Sequence, residues 1–156
     1  MRRALKFLHT LAACGLIGAL LGYAIILLYA PQETPRAYAD ARQTITAFCD
    51  YLLLPSLALA LISGLLGMVA HRPFLETRWA WLKALLGLSM FEATFAIVQS
   101  KATTAAAESA KIAAGEAAPG ALAYVVTYEG WSIAAIMALS LAQIALGIWR
   151  PRLARR

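Results

Sequence analysis

Between Phe7 and Tyr29 the chain carries no formally charged side chain, and nearly every residue is apolar. A helix needs about 20 such residues to cross roughly 30 Å of hydrocarbon, so this run is long enough to span a bilayer. Three further runs follow, over residues 45–70, 79–99 and 123–149. Backbone buried in lipid must satisfy its own hydrogen bonds, which leaves helices or a closed barrel. Runs of this length select helices. The sequence therefore predicts an all-α protein, a transmembrane four-helix bundle lying in the lipid bilayer as one membrane domain over residues 1–156.

The opening Met1-Arg2-Arg3-Ala4-Leu5-Lys6 resembles the basic head of a signal peptide, and Ala37-Tyr38-Ala39 resembles a cleavage site. The apolar core is far longer than the 7–15 residues or so of a signal sequence. An uncleaved first helix over residues 7–29 is the expectation.

Charge placement sets the orientation. Apolar residues make up 62% of the chain and charged residues 14%, with a net charge of +6. A basic excess can mark a nucleic-acid binder, but Arg2, Arg3, Lys6, Arg72, Arg78, Arg150, Arg152, Arg155 and Arg156 all flank apolar runs. No stripe interleaving basic and aromatic residues accompanies them, so no nucleic-acid partner is expected. The intervening segments 30–44 and 100–122 hold Arg36, Arg42, Lys101 and Lys111 against Glu33, Asp40, Glu108 and Glu116. Four crossings put the three strongly basic segments on one side, and the positive-inside rule makes that side the cytoplasm. Both termini are then cytoplasmic, in the inner (plasma) membrane of a bacterium.

Residues 30–44, with Pro31 and Pro35, read as a polar loop, and Pro55 inside the second run predicts a kink. Alanine is the best helix former, so the stretch to about residue 118 reads as an extension of the third helix beyond the membrane. Pro119-Gly120 would end it. Trp131 and Trp149 sit at the two ends of the fourth run, as an aromatic belt requires. Cys14 and Cys49 lack metal spacing and fall toward opposite ends of the bundle, so no disulfide is expected.

Ionisable residues inside a membrane are costly, by roughly 2.5–3.5 kcal/mol at a helix centre, and each is a functional candidate. Four stand out: His9, Lys83, Glu92 and His71. His9 and Lys83 each lie about one turn inside a helix entering from the basic side, so they share a depth. At 100° per residue, Trp79, Lys83, Gly87, Met90 and Thr94 fall on one face, suited to a flat, partly anionic ligand. Glu92 lies opposite Lys83, and is expected to be protonated, bonded within the bundle or part of a proton path. Gly15, Gly18 and Gly22 form a smooth face suited to close packing. His71 closes the second helix, either as a solvated loop residue or as a second metal ligand.

Lys6-Phe7-Leu8-His9 at the start of the first helix and Trp79-Ala80-Trp81-Leu82-Lys83 at the start of the third resemble the HemJ-type protoporphyrinogen oxidases. Those are membrane proteins that carry haem b. The resemblance implies His9 as an axial ligand of haem iron and Lys83 as the essential cation, with Trp79 and Trp81 beside the cofactor. HemJ proteins carry a tryptophan and an arginine further along the first helix, where this chain has Leu16 and Ile25. The outline also resembles the CopD-like copper-resistance proteins, for which Cys14, Met68, Met90 and Met137 are the soft donors. Overall the chain looks most like a bacterial family of predicted integral membrane proteins of unknown function.

Three functions follow as expectations. The first is a haem-b-binding membrane redox protein, acting on a tetrapyrrole, with Lys83 in the catalytic role. The second is a non-catalytic scaffold, accessory subunit or small-ligand carrier, working as a homo-oligomer or with a membrane partner. The third is copper or other metal handling.

Overall fold

The computed structural model describes residues 2–70 and 72–149. They form α1 (Arg2–Tyr29), α2 (Pro35–Phe48), α3 (Leu54–Val69), α4 (Arg78–Ala93), α5 (Ser100–Ala113), α6 (Leu122–Val126) and α7 (Glu129–Trp149). Wider π turns at Cys49–Leu53 and Thr94–Gln99 join α2 to α3 and α4 to α5 into continuous rods. With α1 and α7 this gives four helices long and apolar enough to cross a membrane, as expected. No strand occurs among the described residues.

The length of α7 locates the membrane. Its 21 residues rise about 31 Å at 1.5 Å each, which matches the hydrocarbon thickness. A bilayer matched to that length would have its two boundaries near Glu129 and Trp149. α4 runs antiparallel to α7, with the Ser140 hydroxyl 3.6 Å from Met90 Sδ and the Lys83 ammonium beside Gly147. That register brings the boundary nearer Glu129 to about Gln99 on the rod of α4 and α5. Arg3, Lys6 and Arg78 gather at the other, basic end.

α2 and α5 stand beyond the boundary and pack on each other. Arg42 and Ile45 of α2 are buried, as are Ala102, Ala105 and Ser109 of α5. The small side chains of α5 let the two backbones approach, and Thr46 Oγ1 donates to the Ala102 carbonyl at 3.2 Å. The expected loop over residues 30–44 is thus mostly helix. Thr34 caps it by accepting from the Ala37 amide at 3.1 Å. Pro35 occupies the first helical turn, where a missing N–H costs nothing.

Three other boundaries move for identifiable reasons. Pro55 lacks the N–H that would bond one turn back, and the π turn over Cys49–Leu53 takes up the misfit directly before it. The alanine-rich extension stops at Ala113 rather than near residue 118, because Gly115 takes a left-handed φ of +78°. The Glu116 amide then donates back to the Lys111 carbonyl at 2.8 Å, a helix-ending bond. The fourth run is broken at Tyr128, whose φ of +63° separates α6 from α7.

The core is a stripe on α1, comprising Ala12, Leu16, Ala19, Leu20 and Tyr23, closed by Ile45, Cys49, Leu53 and Leu57. Of the glycine face of α1, Gly15 and Gly22 are packed, while Gly18 is open. A Cβ at Gly15 would stand 2.5 Å from Ser56 Oγ, and one at Gly22 would stand 2.6 Å from the Phe48 ring. Large apolar side chains cover the outside, among them Phe7, Leu21, Ile25, Leu85, Leu141 and Ile148. A surface of that kind suits a lipid environment. Cys14 is exposed on it and Cys49 is in the core, both as free thiols.

Candidate functional site

His9 is half-buried where α1 crosses α3. Its Nδ1 lies 2.9 Å from the Ala60 carbonyl and 3.2 Å from Ser63 Oγ. The Ser63 hydroxyl already donates to the Leu59 carbonyl at 2.6 Å. A carbonyl can only accept, so Nδ1 carries the proton and Nε2 presents a lone pair. Nε2 has no partner among the described residues. Gly64 makes room for the ring, since a Cβ there would stand 3.3 Å from His9 Cε1.

Lys83 comes to the same end of the bundle from α4. Its ammonium rests against Gly147, where a Cβ would stand 2.7 Å from Nζ. Gln143 Nε2 donates to the Lys83 carbonyl at 3.1 Å and holds this turn of α4 against α7. The structure therefore places the histidine and the lysine toward the same end of the bundle, on α1 and α4.

The tryptophans point elsewhere. Trp79 is half-buried and packs edge-on against Phe74, with ring centroids 5.5 Å apart. Trp81 is exposed, and its indole N–H donates to the Leu75 carbonyl at 2.9 Å. His71 lies outside the described residues. Among the described residues no three of His, Cys, Asp and Glu gather as a metal site. Met68 and Met90 are buried on different helices, and Met90 is engaged by Ser140.

Of the expectations for Glu92, a bond within the bundle is absent among the described residues. Glu92 is exposed on the outer surface of α4, and no hydrogen bond or ion pair satisfies it among the described residues. The face opposite, Ala80, Met90 and Thr94, is the one that packs inward. A residue 180° from Lys83 is therefore turned to lipid, not into the bundle.

The most developed polar cluster is one that the sequence reading did not assemble. Glu129 is buried at the first position of α7 and accepts from two donors in three contacts. Tyr23 of α1 donates at 2.5 Å, and Arg42 Nη1 of α2 lies 2.7 Å from each carboxylate oxygen. Arg42 Nε donates in turn to Tyr38 at 2.9 Å, and its guanidinium lies 5.0 Å from the centre of that ring. Arg42 is only 4% exposed and Glu129 5%. This buried pair, with Tyr23, ties three helices together, so its chemistry is that of a clamp. Two signals pointed to it: Glu129 interrupts an apolar run, and Tyr38, Arg42, Ile45 and Cys49 recur at helical spacing.

A groove of about 630 Å³ lies outside the membrane between α2 and α5, lined by Asp40, Thr46, Asp50, Ala106 and Ala110 among others. Neither His9 nor Lys83 reaches it, and Asp50 within it accepts from Gln99.

Among known families, one described as predicted integral membrane protein (DUF2269) matches residues 3–151. No match is found among curated proteins or among solved structures.

Proposed function

We propose, for a chain that belongs to the DUF2269 family of integral membrane proteins, that it is a haem-b-binding redox protein with His9 as an axial ligand. The reading rests on one observation, the 2.9 Å contact between His9 Nδ1 and the Ala60 carbonyl. Histidines that ligate metals commonly donate their other ring N–H to a carbonyl or carboxylate, which fixes the tautomer and raises the basicity of the free nitrogen. The donor set thus fits one axial position. Bound haem would supply one-electron chemistry, its potential set by the axial ligand and the polarity around it. Ser63 and Ala60 would hold the imidazole in place. Lys83 would offset the charge of a propionate, or of an anionic tetrapyrrole substrate, entering from the same end.

The positive-inside rule supports placing this end, with both termini, on the cytoplasmic side of a bacterial plasma membrane. Arg3, Lys6 and Arg78 gather there, at the starts of α1 and α4.

The test is an absorption spectrum of detergent-purified protein from haem-replete cells. A Soret band is expected, and His9→Ala should abolish it while a folded monodisperse protein remains. Lys83→Ala should keep the band and weaken haem retention. Colourless wild-type protein would overturn the reading.

A further inference from the structure

Glu92 shares the exposed surface of the rod of α4 and α5 with Leu88 and Ser89 one turn before it and with Phe95 and Ala96 of the π turn after it. Seven residues separate Glu92 from the boundary near Gln99, about 10 Å at 1.5 Å per residue. Two methylenes cannot carry a carboxylate that distance to water in the way a lysine stem reaches the headgroups. The fold does not turn Glu92 inward, because Lys83, Gly87, Met90 and Thr94 occupy the face that meets α3 and α7. Glu129 shows the contrast, since an acid that the bundle itself uses is buried and given two donors.

A second copy of the chain does not complement this residue. Copies inserted in the same sense would set Glu92 against groups at its own depth. The exposed cations among the described residues, Arg3, Lys6, Arg36, Arg78 and Lys111, lie at or beyond the two boundaries. Lys83 lies nine positions nearer the basic end and is half-buried. Charge complementarity therefore points to another protein.

We propose that the face of the α4–α5 rod carrying Ser89, Glu92 and Ala96 docks a transmembrane helix of a partner protein that carries a lysine or arginine at the depth of Glu92. Ser89 and Ala96 give a line of small side chains beside the acid along which a partner backbone can approach, next to the larger Leu88 and Phe95. Ser89 adds a hydroxyl to the contact. This assignment is independent of haem binding at His9, which lies on another helix near the basic end.

The test uses the full chain in phosphatidylcholine vesicles and energy transfer to three synthetic polyleucine spanning helices. One carries a lysine about 10 Å below the boundary nearer Glu129, one carries it at the opposite depth, and one carries none. An interhelical polar contact in lipid corresponds to about a five- to thirtyfold preference. The depth-matched helix should show that preference over the other two, and Glu92→Leu should remove it. Glu92→Leu replaces one lipid-facing side chain with another, and an unchanged helical spectrum verifies its fold. Equal affinity for the three helices, or no association with any, overturns the proposal in favour of a lipid-only surface. Self-association of the chain that displaces the lysine helix and is lost in Glu92→Leu overturns it in favour of a homo-oligomer.

Discussion

Arg42 and Glu129 stand 87 positions apart in the chain, yet Arg42 Nη1 lies 2.7 Å from both oxygens of the Glu129 carboxylate. The contact ties α2, which stands outside the membrane, to the first turn of α7, which crosses it. Charges taken out of water cost several kcal/mol apiece, and their attraction roughly repays this when every donor and acceptor is used. Removing one partner leaves the other charged and buried. Arg42→Ala and Glu129→Ala are each expected to destabilise the protein by about 3–5 kcal/mol, read from unfolding in mixed micelles. Arg42→Met combined with Glu129→Leu should lose less than the worse single variant. A double variant that loses the sum of the two would show the residues to be uncoupled.

Tyr23 completes the clamp from α1. Its hydroxyl donates to a carboxylate, and hydrogen bonds to charged groups contribute about 1.5–3 kcal/mol. Tyr23→Phe keeps the ring, which is 1% exposed in the core, and removes only the donor. A loss within that range is expected, and it should fall sharply when Glu129 is already replaced. Equal losses in the two backgrounds would assign the effect to packing alone.

The two halves of the molecule differ in how far the sequence reveals them. The spanning helices are legible because lipid imposes one strong condition, an uninterrupted apolar run. Helical period alone places Lys83 inward and Glu92 opposite to it. α2 is harder to see because its exposed positions carry Arg36, Asp40, Gln43 and Thr44, so composition reads it as a loop. The Thr34-Pro35 cap and the buried Arg42, Ile45 and Cys49 spacing are the better signals, since they follow from backbone geometry and not from polarity. The clamp itself is not legible, because nothing local in the chain states which helices meet. Glu129 also sits at the edge of its run, where an acid passes as an interfacial residue until its neighbours are known.

Tyr128 offers a test of how α7 is aimed. Its φ of +63° is left-handed, a conformation that costs a non-glycine residue about 1–2 kcal/mol. The amide and hydroxyl of Ser132 both bond its carbonyl at 3.0 Å, and the next residue is the buried Glu129. The turn thus holds strain in order to point Glu129 at Arg42. The Tyr128 side chain is 71% exposed, so its removal loses little packing. Tyr128→Gly is expected to be neutral or stabilising by up to about 1 kcal/mol, whereas Tyr128→Val should destabilise. Equal losses for the two would show that the ring, and not the backbone angle, holds the turn.

The glycines of α1 separate by what stands in front of them. At Gly22 a methyl group would meet the Phe48 ring at 2.6 Å, while at Gly18 nothing lies within 4 Å. Both residues are in one helix, so the gain in helix propensity from alanine is the same, up to about 1 kcal/mol. The difference between the two variants therefore reports contact alone. Gly18→Ala is expected to leave stability unchanged or raise it. Gly22→Ala must displace Phe48 from a packed position at the join of α2 and the first π turn, and overpacking of this kind costs about 1–3 kcal/mol. Phe48→Leu should relieve Gly22→Ala, because the shorter side chain vacates the space the methyl needs. If Gly22→Ala proves as harmless as Gly18→Ala, α1 and α2 are not held at the separation seen here.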